Sequence, residues 1–193
     1  MSKHSSMSMN DLIVFALRDE APNLFNKYRN VFCIGIGKVN AAISVTNLIN
    51  TYNPKRIINL GTAGGITLSS GIHRVNNVIQ HDVNLLAMGI QPGHIALDNN
   101  NVITFDGQGY TCATGDMHVT ERHKLRVKCD MVDMECFSIA KSCLMAGVSC
   151  EIYKYISDQA DENAATTWKE QVAAGEEFYF KVLKDLNVQL IGD

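Results

Sequence analysis

Three acidic residues stand where apolar runs of the sequence end, and each of them is suited to acid–base chemistry. Asp158 follows the run 151–156, Glu135 follows Val132-Asp133-Met134, and Glu20 follows the run 12–17. A carboxyl group where a buried strand meets its loop is partly withdrawn from water, which raises its pKa and lets it act as an acid. Because ligands of α/β proteins bind outside the carboxyl ends of the strands, three such acids indicate one shared crevice.

The elements that must position these acids alternate along the chain. Strands are predicted at 12–17, 31–36, 56–60, 75–80, 110–114 and 151–156, with a long irregular excursion at 84–101. Helices are predicted at 39–49, at 135–146, and from a capping-box pattern at Thr167 and Glu170 to residue 186. This alternation predicts an α/β fold of three layers, in which helices flank a central mixed, largely parallel sheet.

The composition is that of an ordinary globular domain. The 193 residues are 46% hydrophobic and 19% charged, which predicts a single domain over residues 11–193. A net charge of −3 without a basic stripe argues against a nucleic-acid partner. No apolar run approaches the roughly 20 residues that span a bilayer, so we expect no membrane association. Residues 1–10 are polar and lack a signal-peptide core, which predicts a disordered tail and a cytoplasmic location.

Six cysteines raise the question of a metal site. Cys129, Cys136, Cys143 and Cys150 recur every seven residues. Zinc sites usually pair ligands two to four residues apart, and none of these pairs has that spacing. We therefore expect buried thiols that pack as small hydrophobic groups, and neither a metal nor a cofactor.

Two glycine-rich strings follow predicted strands. Gly35-Ile36-Gly37 begins like a dinucleotide fingerprint, but Asn40 stands where the third glycine is needed, and the chain has no P-loop string. A tight strand-to-helix turn explains this first string as well as a ligand contact does. The string at residues 61–65, Gly-Thr-Ala-Gly-Gly, is more specific, because its glycines let a ligand approach the backbone beside the hydroxyl of Thr62.

Taken together, these strings resemble the purine nucleoside phosphorylase and nucleosidase superfamily. Within it the chain is most similar to the 5′-methylthioadenosine/S-adenosylhomocysteine nucleosidases, from about residue 12 to residue 186 and in the family's order. The strings that carry the resemblance are Ala16-Leu17 with Glu20, Gly35 to Val39, Ile57 to Gly65, Thr114-Gly115-Asp116, Val132 to Glu135, and Ile156 to Asp161.

The resemblance implies hydrolysis of the N-glycosidic bond of an adenine nucleoside. Cleavage leaves positive charge on the sugar and negative charge on the purine, so an acid at N7 improves the leaving group. Asp158 matches the family residue for that task. Glu135 matches the carboxylate that bridges the ribose 2′- and 3′-hydroxyls, and Glu20 matches the base that activates water on the opposite face.

The resemblance also implies a set of substrate-binding residues and a homodimer. Ser157 would orient Asp158, Met134 would pack on the ribose, and Thr62 and Lys154 would place the water. Met88 and Ile90 match positions that cap an uncharged 5′ group from the neighbouring subunit. The whole implied set is Thr62, Ala63, Gly64, His118, Val119, Asp133, Met134, Ser157, Lys154, Met88 and Ile90.

The adenine end of the implied site departs from the family. The backbone of Val119 would read the adenine edge. His118 stands where nucleosidases often place an aromatic residue against adenine. Imidazole can also stack, but it is smaller and titrates near neutral pH.

Structural explanations compete with these roles. Asp158 could cap the loop after its strand, Glu135 could be a helix N-terminal carboxylate stabilised by the dipole, and Glu20 could lie in a solvated helix start. Asp133 and Asp161 are better explained as structural residues, although Asp133 adjoins the implied ribose site.

Two other functions compete with hydrolysis. A phosphorylase needs arginine donors for phosphate, but Asn59 stands two positions before the glycine string where phosphate-using relatives carry arginine, and Glu20 would repel phosphate. A nucleoside-binding module without turnover is the second alternative.

Only 14 residues, 21–34, separate Glu20 from Gly35, which predicts a smaller sheet and a more open pocket.

Overall fold

The computed structural model describes residues 9–192 as eight strands and five α-helices. The strands are β1 (Asp11–Phe15), β2 (Val31–Cys33), β3 (Arg56–Gly65), β4 (Ile72–Gln80), β5 (Val102–Thr104), β6 (Tyr110–Thr114), β7 (Met131–Asp133) and β8 (Ser149–Asp158). The α-helices are α1 (Pro22–Lys27), α2 (Lys38–Tyr52), α3 (Cys136–Ala146), α4 (Ala164–Gln171) and α5 (Glu176–Asp185).

The strands form one mixed sheet. Strand β1 pairs in parallel with β2 and β3, and β3 continues in parallel to β8 and antiparallel to β7. Strand β6 is parallel to β7 and β4, while β4 runs antiparallel to β5 and β8. Because β8 pairs with both β3 and β4, the strands β3, β7, β6, β4 and β8 pair in a ring. The predicted α/β fold, with helices around a mixed central sheet, is confirmed.

Helices cover both faces of the sheet where β1 lies beside β3. Leu12 and Val14 of β1 pack with the buried faces of α2 and α3. The alternating residues Ile13 and Phe15 pack with α1 and α5, where Tyr179 is fully buried. This alternation places apolar side chains on both faces of β1, as expected for a strand covered on two sides.

A third apolar cluster packs strands of the ring against α3 and β5. It contains Val75 and Val78 of β4, Met131 of β7 and Ile152 of β8, each at most 1% exposed. Phe137 of α3 belongs to the same cluster. This close packing helps to fix the positions of β3, β7 and β8, whose carboxyl ends border the cavity described below.

Several predicted element boundaries were wrong. The strand predicted at 56–60 continues through the glycine string to Gly65, and the strand predicted at 31–36 ends at Cys33. The helix predicted to run to residue 186 is two helices, and Thr167 lies inside α4 instead of capping it. The break precedes Gly175, where a side chain would collide with the ring of Tyr179.

The predicted tail at residues 1–10 lies mostly outside the described residues. Its last two residues are ordered, since Met9 is buried in the core and the Asn10 carbonyl accepts hydrogen bonds from the Lys55 and Arg56 amides. Over residues 9–192, every helix is too short or too polar to cross a bilayer.

Candidate active site

One cavity of ≈ 190 Å³ lies at the carboxyl ends of β1, β3, β7 and β8. An apolar cavity of about 150 Å³ is enough to hold benzene, so this open one accommodates an aromatic base with the rest of a ligand toward its mouth. Its wall consists of Ala16, Leu17, Glu20, Ile36, Thr62, Ala63, Gly64, His118, Val132, Asp133, Met134, Glu135, Ser157, Asp158 and Trp168.

Glu20 ends the short 3-10 turn Arg18–Glu20 that follows β1, and only 3% of it is exposed. Its Oε1 accepts hydrogen bonds from the Thr62 backbone N–H at 2.8 Å and the Thr62 hydroxyl at 3.0 Å. Its Oε2 accepts one from the Leu17 amide at 3.0 Å. Three donors therefore hold this carboxylate in one orientation, and the solvated helix start considered for Glu20 is wrong.

A β-bulge places Asp158 on the cavity wall. The register of β8 against β3 shifts by one residue at Ser157, which breaks the alternation of side chains along the strand. Ser157 and Asp158 therefore both face the cavity although they are adjacent in sequence. The Ser157 hydroxyl donates to Asp158 Oδ2 at 2.9 Å, and the Ala160 amide donates to Oδ1 at 3.0 Å. Asp158 thus binds its own loop and borders the cavity at once.

Two glycines of β3 make room for these carboxylates. A Cβ at Gly61 would lie 2.9 Å from Glu20 Oε1, and a Cβ at Gly64 would lie 2.9 Å from Asp158 Oδ1. Any side chain at either position would therefore displace an acid. The glycine string was predicted to let a ligand approach the backbone closely, and in the folded chain it also makes room for Glu20 and Asp158.

Glu135 stands at the start of α3, but its side chain points to a different helix. Its Oε1 accepts a hydrogen bond at 2.9 Å from the amide of Gly37, at the N-terminus of α2. The amide of Cys136 in α3 is instead bound by Asp133 at 2.8 Å, so the capping role considered for Glu135 belongs to Asp133. Burial and then the Asp133 charge raise the pKa of Glu135 to about 8, against the opposing effects of Lys154 and Gly37.

Asp133 forms a buried ion pair with Lys154 at 3.0 Å, with side chains only 1% and 2% exposed. Burial alone would raise the pKa of Asp133, but Lys154 and the hydrogen bonds from Cys136 and Thr114 hold it below its ordinary value. Burial alone would lower the pKa of Lys154, yet the Asp133 carboxylate paired with it holds that pKa well above its ordinary value. Lys154 therefore lies behind the wall as the partner of Asp133, which corrects its predicted contact with the water.

The structure brings ten predicted site residues to this wall and leaves four off it. The ten are Glu20, Thr62, Ala63, Gly64, His118, Asp133, Met134, Glu135, Ser157 and Asp158. Besides Lys154, Val119 is off the wall, since it packs beside Val132 and Ala160. Met88 lies on an exposed 3-10 turn, and neither it nor Ile90 reaches the cavity of its own chain.

Five wall residues were missed by sequence reasoning, and the most informative is Trp168. Its indole N–H donates a hydrogen bond to the Thr62 hydroxyl at 3.0 Å. The signal available in the sequence was that the chain's one tryptophan lies in an otherwise polar segment soon after Asp158. The other four are Ala16, Leu17, Ile36 and Val132.

Among residues 9–192, one group of three side chains has metal-ligand geometry. Ligand atoms of Cys112, Asp133 and Cys136 lie within 4.8 Å of one another. Asp133 is already neutralised by Lys154, and burial raises the pKa of both thiols, so they remain protonated. The group therefore does not suit a metal, and among the cysteines spaced by seven only Cys136 belongs to it.

Comparison with known proteins first identifies a superfamily profile and similar folds. The sequence profile of the Phosphorylase superfamily matches residues 23–93. The fold is similar to native futalosine hydrolase of Helicobacter pylori, with TM-score 0.84 and 24% identity, covering 93% of this chain and 97% of that one. It is also similar to H. pylori 5′-methylthioadenosine/S-adenosylhomocysteine nucleosidase with butyl-thio-DADMe-Immucillin-A, with TM-score 0.81, 24% identity, and coverage of 93% and 97%. At this identity the likeness establishes the fold.

Sequence relatives then give the family. The 5′-methylthioadenosine/S-adenosylhomocysteine nucleosidase of Staphylococcus epidermidis is 33% identical over 165 residues, which cover 70% of this chain and 71% of the relative. The chain therefore belongs to the 5′-methylthioadenosine/S-adenosylhomocysteine nucleosidase family, and the resemblance identified from its motifs is confirmed.

Proposed function

We propose that this protein hydrolyses the N-glycosidic bond of a purine nucleoside such as 5′-methylthioadenosine or S-adenosylhomocysteine. The observation that carries the proposal is the convergence of Glu20, Glu135 and Asp158 on one cavity, although they come from three separate parts of the chain. Water adds its oxygen to C1′, the bond from C1′ to the purine nitrogen breaks, and its electron pair leaves with the base.

Asp158 serves the leaving group. As the purine gains negative charge, a protonated Asp158 donates its proton to N7, and the departing base is neutral. The hydrogen bonds from Ser157 and the Ala160 amide fix the carboxyl group for that transfer. Without Asp158, the purine would leave as an anion.

Glu20 is the general base that activates the attacking water. A carboxylate held by donors from Thr62 and Leu17 can take one proton from water as its oxygen attacks C1′. Hydrolysis is then balanced, because one proton of the water goes to Glu20 and the purine receives its proton from Asp158.

Glu135 serves the ribose. Its Oε1 is bound by the Gly37 amide, so Oε2 is available to the sugar diol. With a pKa of about 8, the free carboxyl group is mostly protonated near neutral pH and can donate to one hydroxyl or accept from another. Met134, also on the wall, supplies an apolar contact for the ring.

Phosphorolysis is the alternative reaction, and the geometry of Thr62 disfavours it. Both the backbone N–H and the hydroxyl of Thr62, the donors that the glycine string would offer a phosphate, are bound to Glu20. Among residues 9–192, the wall contains no arginine or lysine. A phosphate dianion here would meet a carboxylate without a compensating cation.

The test is adenine release from 5′-methylthioadenosine, measured with and without phosphate. We expect turnover that does not depend on phosphate, and a loss of about 10²- to 10⁴-fold in kcat for Asp158→Asn with an unchanged circular dichroism spectrum. Asp161→Asn is the matched control, because Asp161 lies off the wall and its carboxylate accepts a hydrogen bond from the Asn163 amide of its own loop. Phosphate-dependent turnover would mean a phosphorylase, and tight nucleoside binding without turnover would mean a binding module.

We also infer a homodimer that completes the cavity. Large apolar side chains are exposed on α2 and α3, with Val39 at 68% and Met145 at 73%. Patches of this kind mark interaction surfaces. A bridge of 2.7 Å between Lys141 and Asp98 holds the excursion after β4 against α3, and the exposed Met88 lies on that excursion. In the dimer, Met88 and Ile90 of each subunit would cap the 5′ group in the other, and a monomer at micromolar concentration in sedimentation equilibrium would exclude this.

A cytoplasmic location follows from the same proposal. All six cysteines are free, which suits a reducing compartment. Cell fractionation with an antibody to the protein tests this location, and recovery in a secreted or membrane fraction would contradict it.

A further inference from the structure

A chain of two hydrogen bonds connects Trp168 to Glu20 through Thr62. The indole Nε1 lies 3.0 Å from Thr62 Oγ1, and Oγ1 lies 3.0 Å from Glu20 Oε1. Trp168 is on α4, whereas Thr62 is on β3 and Glu20 follows β1. The two bonds therefore join three elements across the cavity wall.

The chemistry of the indole group fixes the direction of this chain. An indole N–H can only donate, so the oxygen of Thr62 must be the acceptor in the first bond. The hydroxyl has a single hydrogen, and Glu20 is the acceptor within reach of it. The indole thus favours the hydroxyl rotamer that donates to Glu20.

The two oxygens of Glu20 differ in their remaining capacity. Oε1 receives two donors, the backbone N–H and the hydroxyl of Thr62, which occupy both of its lone pairs. Among residues 9–192, Oε2 receives one donor, the Leu17 amide, which leaves it one lone pair. A proton taken from water is therefore most easily accepted at Oε2.

We propose that Trp168 is a positioning residue for hydrolysis, which acts through the Thr62 hydroxyl to occupy Oε1 of Glu20 and leave Oε2 as the proton-accepting oxygen. This assignment rests on the proposed function and deepens it. Phenylalanine in place of Trp168 would keep an aromatic ring on the wall but would lack the N–H.

The first experiment is a double-mutant cycle measured by adenine release. Trp168→Phe is expected to lower kcat about 3- to 10-fold, the size of a lost neutral hydrogen bond, with KM changed less than about 2-fold. In a Thr62→Val background, which has no hydroxyl, the same change should lower kcat less than about 2-fold further. In a Thr62→Ser background, which keeps the hydroxyl, the full 3- to 10-fold effect should return.

Equal effects of Trp168→Phe in the Val and Ser backgrounds would overturn the proposal, as would an unchanged kcat in the otherwise native chain. A rise in KM with an unchanged kcat would assign Trp168 to substrate contact alone. If the native protein released no adenine at all, the proposed function itself would be wrong, so the two failures are distinguishable.

A second readout does not depend on turnover. Trp168 is the chain's one tryptophan, so all indole emission comes from this site. Indole emission responds to hydrogen bonding at Nε1. Thr62→Val should therefore shift the emission maximum of the unliganded protein, while Thr62→Ser should not. An identical spectrum in Thr62→Val would show that the indole N–H does not bind Thr62.

Discussion

Two glutamates on the cavity wall, Glu20 and Glu135, lie in different surroundings. Glu20 and Glu135 are 3% and 5% exposed, and both border one cavity. Glu20 receives three hydrogen bonds, from Thr62 and Leu17. Glu135 receives one, from Gly37, and the Asp133 charge opposes its ionisation.

The comparison teaches that depth of burial alone does not decide what a buried acid can do. Hydrogen-bond donors around a carboxylate favour and orient its charged form, while a nearby negative charge opposes ionisation. Glu135 follows the second pattern, with its pKa of about 8. The two glutamates are therefore expected to respond differently to the same substitution.

The largest expected effect is the loss of turnover when Glu20 is substituted. Glu20→Gln should lower kcat about 10³-fold, because the amide cannot accept the proton from water. Glu135→Gln should act mainly on KM and much less on kcat, because in the proposed mechanism this side chain contacts the ribose and transfers no proton to or from a reacting atom. Steady-state kinetics of both variants checks this prediction. Equal losses of kcat would mean that Glu20 and Glu135 do not have separate roles.

The next effect concerns the buried ion pair between Lys154 and Asp133, near Glu135. Lys154→Met leaves Asp133 as a buried charge without its partner and should lower the free energy of unfolding by about 3–5 kcal/mol. Lys141→Met is the control, since its bridge to Asp98 is solvent-exposed and its loss should change the free energy of unfolding far less. Urea unfolding of both variants gives the comparison, and similar losses would argue against the buried pair.

A smaller effect should appear in the pH dependence of stability. The pKa of Glu135 is about 8 in the folded protein against 4.5 ordinarily, so the folded state binds more protons between these values. The contribution of Glu135 to stability is therefore full below pH 4.5 and is lost as the pH rises to about 8. Glu135→Gln should match the native protein near pH 4.5 and exceed it by ~2–4 kcal/mol above pH 8. Parallel stability curves of the two proteins would contradict the raised pKa.

The smallest effect tests the one donor to Glu135. Gly37 has a φ of 91°, and a Cβ there would lie 3.0 Å from Asp116 Oδ1. Gly37→Ala should cost about 1–2 kcal/mol through backbone strain. It should also raise the pKa of Glu135 further, because the displaced amide no longer stabilises the carboxylate. The fall in stability should then occur at higher pH. Thermal unfolding across pH 5–9 measures the loss of stability and the pH range in which stability falls. An unchanged pH range would mean that the Gly37 amide has little influence on the pKa of Glu135.

Much of this site could be predicted because local patterns mark where strands end. The run before Asp158 and the glycine string of β3 are contiguous in sequence, so their positions at the sheet edge follow from periodicity and turn chemistry. The break between α4 and α5 could not be predicted this way, because the amphipathic pattern continues across it. The break ends at Gly175, where a Cβ would lie 2.5 Å from the Tyr179 hydroxyl oxygen.

Short strings of neighbouring residues were enough to predict the mixed α/β fold, the family and the three acids that border the cavity. Tertiary structure alone decided which groups surround those acids. Trp168 and Thr62 are 106 positions apart, and Lys154 meets Asp133 from a different strand. The physical reason is that hydrogen bonds and ion pairs act over about 3 Å in space, and sequence separation carries no record of that distance.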